Sequence, residues 1–188
     1  TYQFAYLESM GFSTFNRIAA SIGEPAFSAG YAYYLYNVTD LNFTNSRFRD
    51  FSGGLYVDFA SWNLRVFNVT FSNLSDLGIF SKNPSSGNVS ILQSRFEALT
   101  GAAVPAPYGL YFQDLQDRLL LSGLNLSGFA TGIFVDPMAN VTVTGSQINN
   151  TTTGIHLASV TDSAVTSNTL RDISSVAIRV SMSANVTV

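Results

Sequence analysis

Apolar residues return along this chain in four columns, at a spacing of about 23 residues. Within each repeat, apolar and polar positions alternate with a period of two, which is typical of strands that bury one face. The first two columns are Leu41, Leu64, Val89, Leu119, Val141, Ser163 and Val186, and then Phe43, Val66, Ile91, Leu121, Val143, Val165 and Val188. The other two are Phe48, Phe71, Phe96, Leu126, Ile148 and Leu170, and then Leu55, Ile79, Leu110, Ile133, Ile155 and Ile178.

A repeat this short cannot bury its own apolar face, so it must stack on copies of itself. Three short strands per repeat, separated by Asn, Asp, Gly and Ser, predict a three-sided coil of about 22–30 residues. Gly precedes most members of the fourth column. The pattern therefore predicts an all-β solenoid of parallel coils.

A further column lies just before the first strand of each repeat, and it is almost entirely Asn or Asp. Its members are Asp40, Asn63, Asn88, Arg118, Asn140, Asp162 and Asn185. Stacked coils place such residues at one corner, about 4.8 Å apart. Asn and Asp tolerate the turn backbone there, and stacked amides can hydrogen-bond along the axis.

With these columns, residues from about Tyr33 to Val188 resemble the right-handed parallel β-helix repeat family, of the NosD and pectate-lyase-like kind. The resemblance implies a right-handed parallel β-helix over 33–188. It does not select a function, because such repeats serve enzymes, adhesins and surface-layer proteins alike.

Residues 1–32 do not follow the columns, and two interpretations stay open for them. Phe12, Phe15, Ile18 and Phe27 predict either an irregular first coil or a short capping helix. The chain begins with Thr1 and stops at Val188 in mid-repeat, which suggests a processed chain or a piece of a longer one.

Composition narrows the classes of partner. Charged residues make up 11% of the chain, against roughly 25% in an average soluble protein. A net charge of −3 argues against nucleic acid, which calls for basic patches. The absence of cysteine excludes disulfides and thiolate metal sites, and no apolar run is long enough to span a membrane. We predict no cofactor and no metal site.

Ten Asn-x-Ser/Thr sequons occur, against roughly three expected by chance from the composition. Glycans on them would imply export and would supply surface polarity. We predict attachment at Asn37, Asn42, Asn68, Asn73, Asn125, Asn149 and Asn150. Three others, Asn88, Asn140 and Asn185, are weaker candidates because the corner column itself calls for Asn there.

Alternation places an aromatic stripe on one outer side, at Tyr56, Phe80, Tyr111 and Phe134, followed by His156 and Arg179. Exposed apolar patches usually mark an interface. We predict that the N-terminal segment or a partner chain covers this stripe, with stacking on sugar rings as the alternative.

The acidic residues are scattered rather than clustered. Asp58 and Asp136 share a row but lie three coils apart, about 14 Å, which exceeds the roughly 5–9.5 Å between paired glycosidase carboxylates. Asp114 and Asp136 lie on adjacent coils near His156 and could be close together, but we interpret them as turn-forming aspartates and a lone solvent histidine. We predict that the chain is not an enzyme.

These observations predict an exported, N-glycosylated structural or adhesive protein at an extracellular or cell-surface location. Self-association, including assembly into a filament or surface layer, neighbouring surface proteins and carbohydrate are the predicted partners. The competing prediction is a polysaccharide-binding or polysaccharide-cleaving domain, and a viral receptor-binding shaft is a third.

Overall fold

The computed structural model describes residues 5–8, 13–21, 30–58, 62–82, 87–101, 104–115 and 117–188. The described residues form strands and turns and contain no helix. The strands are β1 Ala5–Glu8, β2 Ser13–Asn16, β3 Ala19–Ser21, β4 Tyr31–Tyr36, β5 Thr39–Thr44, β6 Arg47–Arg49, β7 Gly53–Asp58, β8 Trp62–Phe67, β9 Thr70–Leu74, β10 Leu77–Lys82, β11 Val89–Leu92, β12 Arg95–Ala98, β13 Tyr108–Leu115, β14 Leu119–Ser122, β15 Asn125–Ser127, β16 Thr131–Ala139, β17 Val141–Thr144, β18 Gln147–Ala158, β19 Val160–Thr166, β20 Thr169–Ser181 and β21 Ala184–Thr187.

Each strand pairs in parallel with the equivalent strand of the next coil, so the chain winds into a parallel β-solenoid with three sheets. The first sheet contains β1, β4, β7, β10, β13, β16 and the C-terminal parts of β18 and β20. The second contains β2, β5, β8, β11, β14, β17, β19 and β21. The third contains β3, β6, β9, β12, β15 and the N-terminal parts of β18 and β20. The predicted three-stranded coil is confirmed.

The N-terminal part of the chain contributes strands to this stack. β1, β2 and β3 pair with β4, β5 and β6, and the Phe15 ring stacks on Phe43 with centroids 4.9 Å apart. Phe12 and Phe27 lie outside the described residues. The division of the chain at residue 32 stays a prediction.

The predicted apolar columns form the core. Phe43, Phe48 and Leu55 are fully buried, and so are their equivalents as far as Val143, Ile148 and Ile155. In the last coil Leu170 and Ile178 are only partly buried. Phe48, Phe71 and Phe96 stack with ring centroids 5.1 and 5.3 Å apart. The prediction is wrong for Val188, which follows β21 and is 67% exposed because it has left the strand.

A column of glycines brings the first and third sheets close together. Its members, in register from coil to coil, are Gly54, Gly78, Gly109, Gly132 and Gly154. A Cβ at Gly78 would lie 2.3 Å from the Gly109 carbonyl oxygen and 2.8 Å from the Phe96 ring. Only a residue without a side chain leaves space there for the stacked phenylalanines.

The corners are built from residues in the left-handed backbone region, which Asn and Asp tolerate best among residues other than glycine. Asp40, Asn63, Asn140, Asp162 and Asn185 have φ between 49° and 56°. The predicted hydrogen bonds along the axis are present in part of the column. Asn63 Nδ2 donates to Asp40 Oδ1 at 2.8 Å, and Asn185 Nδ2 donates to Asp162 Oδ1.

Asp50 holds together another corner, one that the sequence analysis did not single out. Its side chain is buried and accepts hydrogen bonds from Ser21 Oγ at 2.7 Å, Asn73 Nδ2 at 2.9 Å and Arg49 Nε at 3.3 Å. Burial alone would raise the pKa of this carboxyl, but the hydrogen bonds from Asn73, Ser21 and Arg49 outweigh it and lower the pKa.

We expect Gly78→Ala to lower the free energy of unfolding by about 1–3 kcal/mol or more, because the new Cβ clashes with backbone rather than with a movable side chain. Urea denaturation followed by circular dichroism measures this loss. Gly123→Asn is the matched control, since Gly123 has φ 64° and its nearest neighbour would lie 3.6 Å from a Cβ. Equal stability of the two variants would contradict the close approach.

We expect Asp50→Asn to cost about 1–3 kcal/mol at pH 7, because Asn keeps the left-handed backbone but loses charge-assisted hydrogen bonds. A lowered pKa means that the carboxylate contributes its full stabilisation above its unfolded-state pKa of about 4 and loses it as the pH falls through the folded-state pKa. The stability gap between wild type and variant should therefore shrink below about pH 4.

Denaturation of both proteins across the acid range tests this pH dependence. Asp40→Asn is the control, because Asp40 accepts one exposed amide hydrogen bond and its replacement should cost less. A gap that stayed constant with pH would show that Asp50 does not act through its charge.

Candidate interaction surface

A column of aromatic rings lines the outer side of the first sheet, and Tyr31 and Tyr108 pack edge-on against it. We call Tyr6, Tyr34, Tyr56, Phe80, Tyr111, Phe134 and His156 the aromatic ladder. Each ring lies between two inward-facing residues of its strand, and strand register places it over its equivalent in the next coil. Successive ring centroids are 4.8–5.4 Å apart.

The structure brings together all four predicted aromatic residues, Tyr56, Phe80, Tyr111 and Phe134, and extends the series in both directions. The stripe predicted from the sequence did not include Tyr6 and Tyr34. Tyr34 precedes inward Leu35 as Tyr56 precedes Val57, and this equivalence was visible in the sequence. No part of the described N-terminal segment covers the stripe, because β1 forms its first rung instead.

The orientation of the rings limits what they can bind. From Tyr6 to Phe134 successive ring planes lie within 31° of each other, so the ring faces point along the solenoid axis and cover one another. The ring edges and the tyrosine hydroxyls point outward. A sugar ring therefore has no free aromatic face to stack on between the rungs of the ladder.

Carboxylates flank the N-terminal half of the ladder. Tyr34 Oη donates to Asp58 Oδ2 at 2.7 Å, and Tyr31 Oη donates to Asp76 Oδ2 at 3.5 Å. Burial first, and then the neighbouring carboxylates, raise the pKa of both phenols. Burial also raises the pKa of Asp76, against the opposing hydrogen bond from Tyr31.

A mixed charged group lies at the other end. Asp136 is half-buried next to Phe134, and Arg179 is exposed in the coil that follows His156. Burial and the charge of Arg179 lower the pKa of His156, while Asp136 opposes them. His156 Nε2 lies 3.4 Å from Ser181 Oγ. Burial raises the pKa of Tyr111, and the charges of Asp136 and Asp114 raise it further, so both carboxylates lie near this one hydroxyl.

The sequons divide into two structural classes. Asn37, Asn68, Asn73, Asn140, Asn150 and Asn185 have φ between 51° and 56° and lie at corners that favour Asn for its backbone. Asn68 and Asn73 also donate amide hydrogen bonds to the preceding coil, to Asn45 and Asp50. Asn42 and Asn125 lie on β5 and β15 with half-buried side chains on the outer side, and Asn149 lies on β18. Asn88 is exposed before β11.

A depression of about 480 Å³ lies at the corner where Arg118 interrupts the Asn/Asp column, and its lining includes Asp117, Asn140 and Asp162. It lies away from the aromatic ladder. In the described part of the chain, no helix is long and apolar enough to cross a membrane.

We expect Tyr34→Phe to lower the free energy of unfolding by about 1 kcal/mol near pH 8, because it removes the bond to Asp58 and keeps the stacked ring. A raised phenol pKa means that this stabilisation is complete below about pH 10 and is lost as the pH rises through the folded-state pKa. The gap between wild type and variant should therefore shrink above about pH 10.

Urea denaturation near pH 8 and above about pH 10 measures the difference in the free energy of unfolding between wild type and variant. Tyr111→Phe is the control, because its hydroxyl lies 3.3 Å from the uncharged Oε1 of Gln113 and its removal should cost less. Equal losses in the two variants would mean that the Asp58 carboxylate adds nothing.

Comparison with known proteins places the chain in a family of repeat proteins. A family model described as "Periplasmic copper-binding protein (NosD)" matches residues 10–188. No curated protein and no solved structure matches the chain. The family description agrees with the prediction that the chain is exported.

The side chains of this protein do not fit a copper centre. Copper is bound in proteins mainly by imidazole, thiolate and thioether groups. The sequence has one histidine, no cysteine and three methionines. Met138 is 6% exposed within the core, Met182 is 85% exposed, and Met10 lies outside the described residues. No cluster of three or more His, Asp or Glu side chains that could hold a metal ion occurs among the described residues.

The match over residues 10–188 and the stack of parallel coils lead to the same conclusion: the chain belongs to the NosD family of parallel β-helix repeat proteins.

Proposed function

We propose that this chain is an exported structural or adhesive β-helix protein of the cell surface, which acts by presenting a continuous side-chain surface rather than by catalysis. The observation that carries the proposal is the aromatic ladder, whose rings contact one another from Tyr6 to Phe134. Such a surface is regular and rigid, and it offers hydroxyls and ring edges to a partner.

The separations of Asp58 from Asp136 and from Asp76 support a role without catalysis. Register places Asp58 opposite Lys82, Lys82 opposite Gln113 and Gln113 opposite Asp136. Asp58 and Asp136 are thus three coils apart, about 14 Å. The backbone N–H of Asp76 donates to the carbonyl of Ser52, six residues before Asp58 in the neighbouring coil, so the backbones at Asp58 and Asp76 are about 20 Å apart. Both distances exceed the roughly 5–9.5 Å between the carboxylates of glycosidases.

The family description and the surface composition support export. Members are described as periplasmic. With few charges on its surface, the protein gains polarity from glycans if the sequons are occupied. Asn42 and Asn125 are the best acceptors, because neither has the left-handed backbone that explains Asn at the corners. Assembly into a filament or surface layer stays a prediction from the sequence.

Fractionation of native cells, with intact-mass measurement of the purified protein, tests this proposal. We expect the protein outside the cytoplasm, with a mass above that of the unmodified chain. Asn42→Gln and Asn125→Gln should each remove one glycan mass, and the corner variant Asn185→Gln should not. Recovery of unmodified protein from the cytoplasm would contradict both export and glycosylation.

The competing function is binding or cleavage of polysaccharide, and the tyrosine–aspartate pairs at the N-terminal half of the ladder are the observation that favours it. Hydroxyl and carboxylate groups along one face are suited to hydrogen bonding with sugars. Titration with oligosaccharides, with assay of new reducing ends, distinguishes the two functions. Release of reducing ends would replace the structural proposal with an enzymatic one.

A further inference from the structure

We propose that two copies of this chain pack against each other through the first sheet, with their solenoid axes antiparallel and a two-fold axis that passes along β13 beside Tyr111. This interface rests on the proposed function, in which the first sheet presents its side-chain surface to a partner. It specifies the face, the direction and the register of the contact.

The size of the face is suitable for a dimer. From Tyr34 to Arg179 the rungs of the first sheet extend for about 29 Å at 4.8 Å per coil, and strands of about six residues make the sheet about 20 Å wide. The face therefore offers roughly 600 Å² per copy, the lower bound of a standard stable interface. Tyrosine and phenylalanine, which dominate its centre, are enriched in such interfaces.

Charge selects the antiparallel arrangement. Next to the ladder, a second outward row contains Glu8, Tyr36, Asp58, Lys82, Gln113, Asp136, Ala158 and Ser181. A two-fold axis parallel to the solenoid places each coil against the same coil of the second copy, so Lys82 on β10 cannot meet Asp136 on β16. If that axis runs along the charged row, Asp58 meets Asp58 and Lys82 meets Lys82, and opposed like charges are unfavourable at an interface. An antiparallel arrangement brings opposite charges together, and charge therefore favours it.

The same row selects the register. A two-fold axis along β13 places β10 of one copy against β16 of the other, so that Lys82 faces Asp136 twice. It also places Arg179 against Tyr34, whose hydroxyl bonds to the Asp58 carboxylate at 2.7 Å. A shift of the axis to lie between β10 and β13 would instead place Asp58 against Asp136.

The centre of the face is uncharged in this register. Phe80 meets Phe134, and Tyr111 meets its own equivalent. Their half-buried edges would be desolvated together, while the charged pairs lie toward the two ends. This arrangement of an aromatic centre with opposite charges around it resembles the usual anatomy of protein interfaces.

Charge-swap variants test the register. We expect sedimentation velocity to show a concentration-dependent dimer of the wild-type chain. Lys82→Glu and Asp136→Lys should each weaken the dimer about tenfold or more, and the double variant should restore it within about threefold, because its new charges again face each other. Arg65→Glu, on the second sheet, is the control and should have no effect.

Cross-linking gives an independent measurement. The sequence contains a single lysine, Lys82. A zero-length carbodiimide should therefore produce a covalent dimer in which mass spectrometry finds the Lys82 peptide joined to the Asp136 peptide. Lys82→Arg should abolish this product and keep the dimer. If a charge-reversal variant fails to fold, Lys82→Gln and Asp136→Asn provide the same comparison with a smaller perturbation.

A chain that stays monomeric at every concentration would overturn this interface. A dimer that tolerates both single charge reversals would show that another face associates, and would overturn it as well. Neither result affects the location and mass measurements that test the proposed function, so the two failures are distinguishable.

Discussion

Everything in this molecule depends on the parallel backbone ladder that holds each coil about 4.8 Å from the next. Because the strands pair in register, any residue that recurs at the same position of the repeat contacts its own equivalent above and below. The same type of side-chain contact is therefore repeated from coil to coil along the solenoid axis. Phenylalanines form a stack in the core, amides form hydrogen-bonded columns at the corners, and tyrosines form a ladder on the surface.

The fold could be predicted from the sequence because this constraint acts on every repeat. Inward columns such as Phe48, Phe71 and Phe96 carry the period of the coil openly, and the corner asparagines mark where each turn falls. What the sequence did not reveal is contact between residues that differ from coil to coil. Asp50 is one example: Asn73 is its own equivalent in the next coil, but Ser21 and Arg49, which share the position before it, bind it with different groups, a hydroxyl and a guanidinium. The buried serines are another: Ser46, Ser94 and Ser146 each accept a backbone N–H from the preceding coil.

The position of the aromatic ladder was predictable from the sequence, and the orientation of its rings was not. Alternation correctly placed Tyr56, Phe80, Tyr111 and Phe134 on one side, but it could not show which way the rings face. Because 4.8 Å is close to the spacing of stacked aromatic rings, neighbouring rungs cover each other's faces and leave only their edges outside. The geometry thus weakens the sugar-stacking interpretation and favours a partner that contacts hydroxyls and edges. In the same way, family membership alone suggests copper, whereas the available donor groups do not fit it.

The corner residues have a consequence for how such sequences are interpreted. At Asn37, Asn68, Asn140 and Asn185 the coil needs a left-handed residue, then an inward Val, and then a strand residue on the outer side, filled here by Thr. That requirement reproduces the acceptor signal for N-glycosylation without any demand for a sugar. A solenoid of this kind that enters a glycosylating compartment would already carry acceptor signals along its edges. Glycan decoration could therefore arise as a by-product of turn geometry and be retained afterwards for its own benefits.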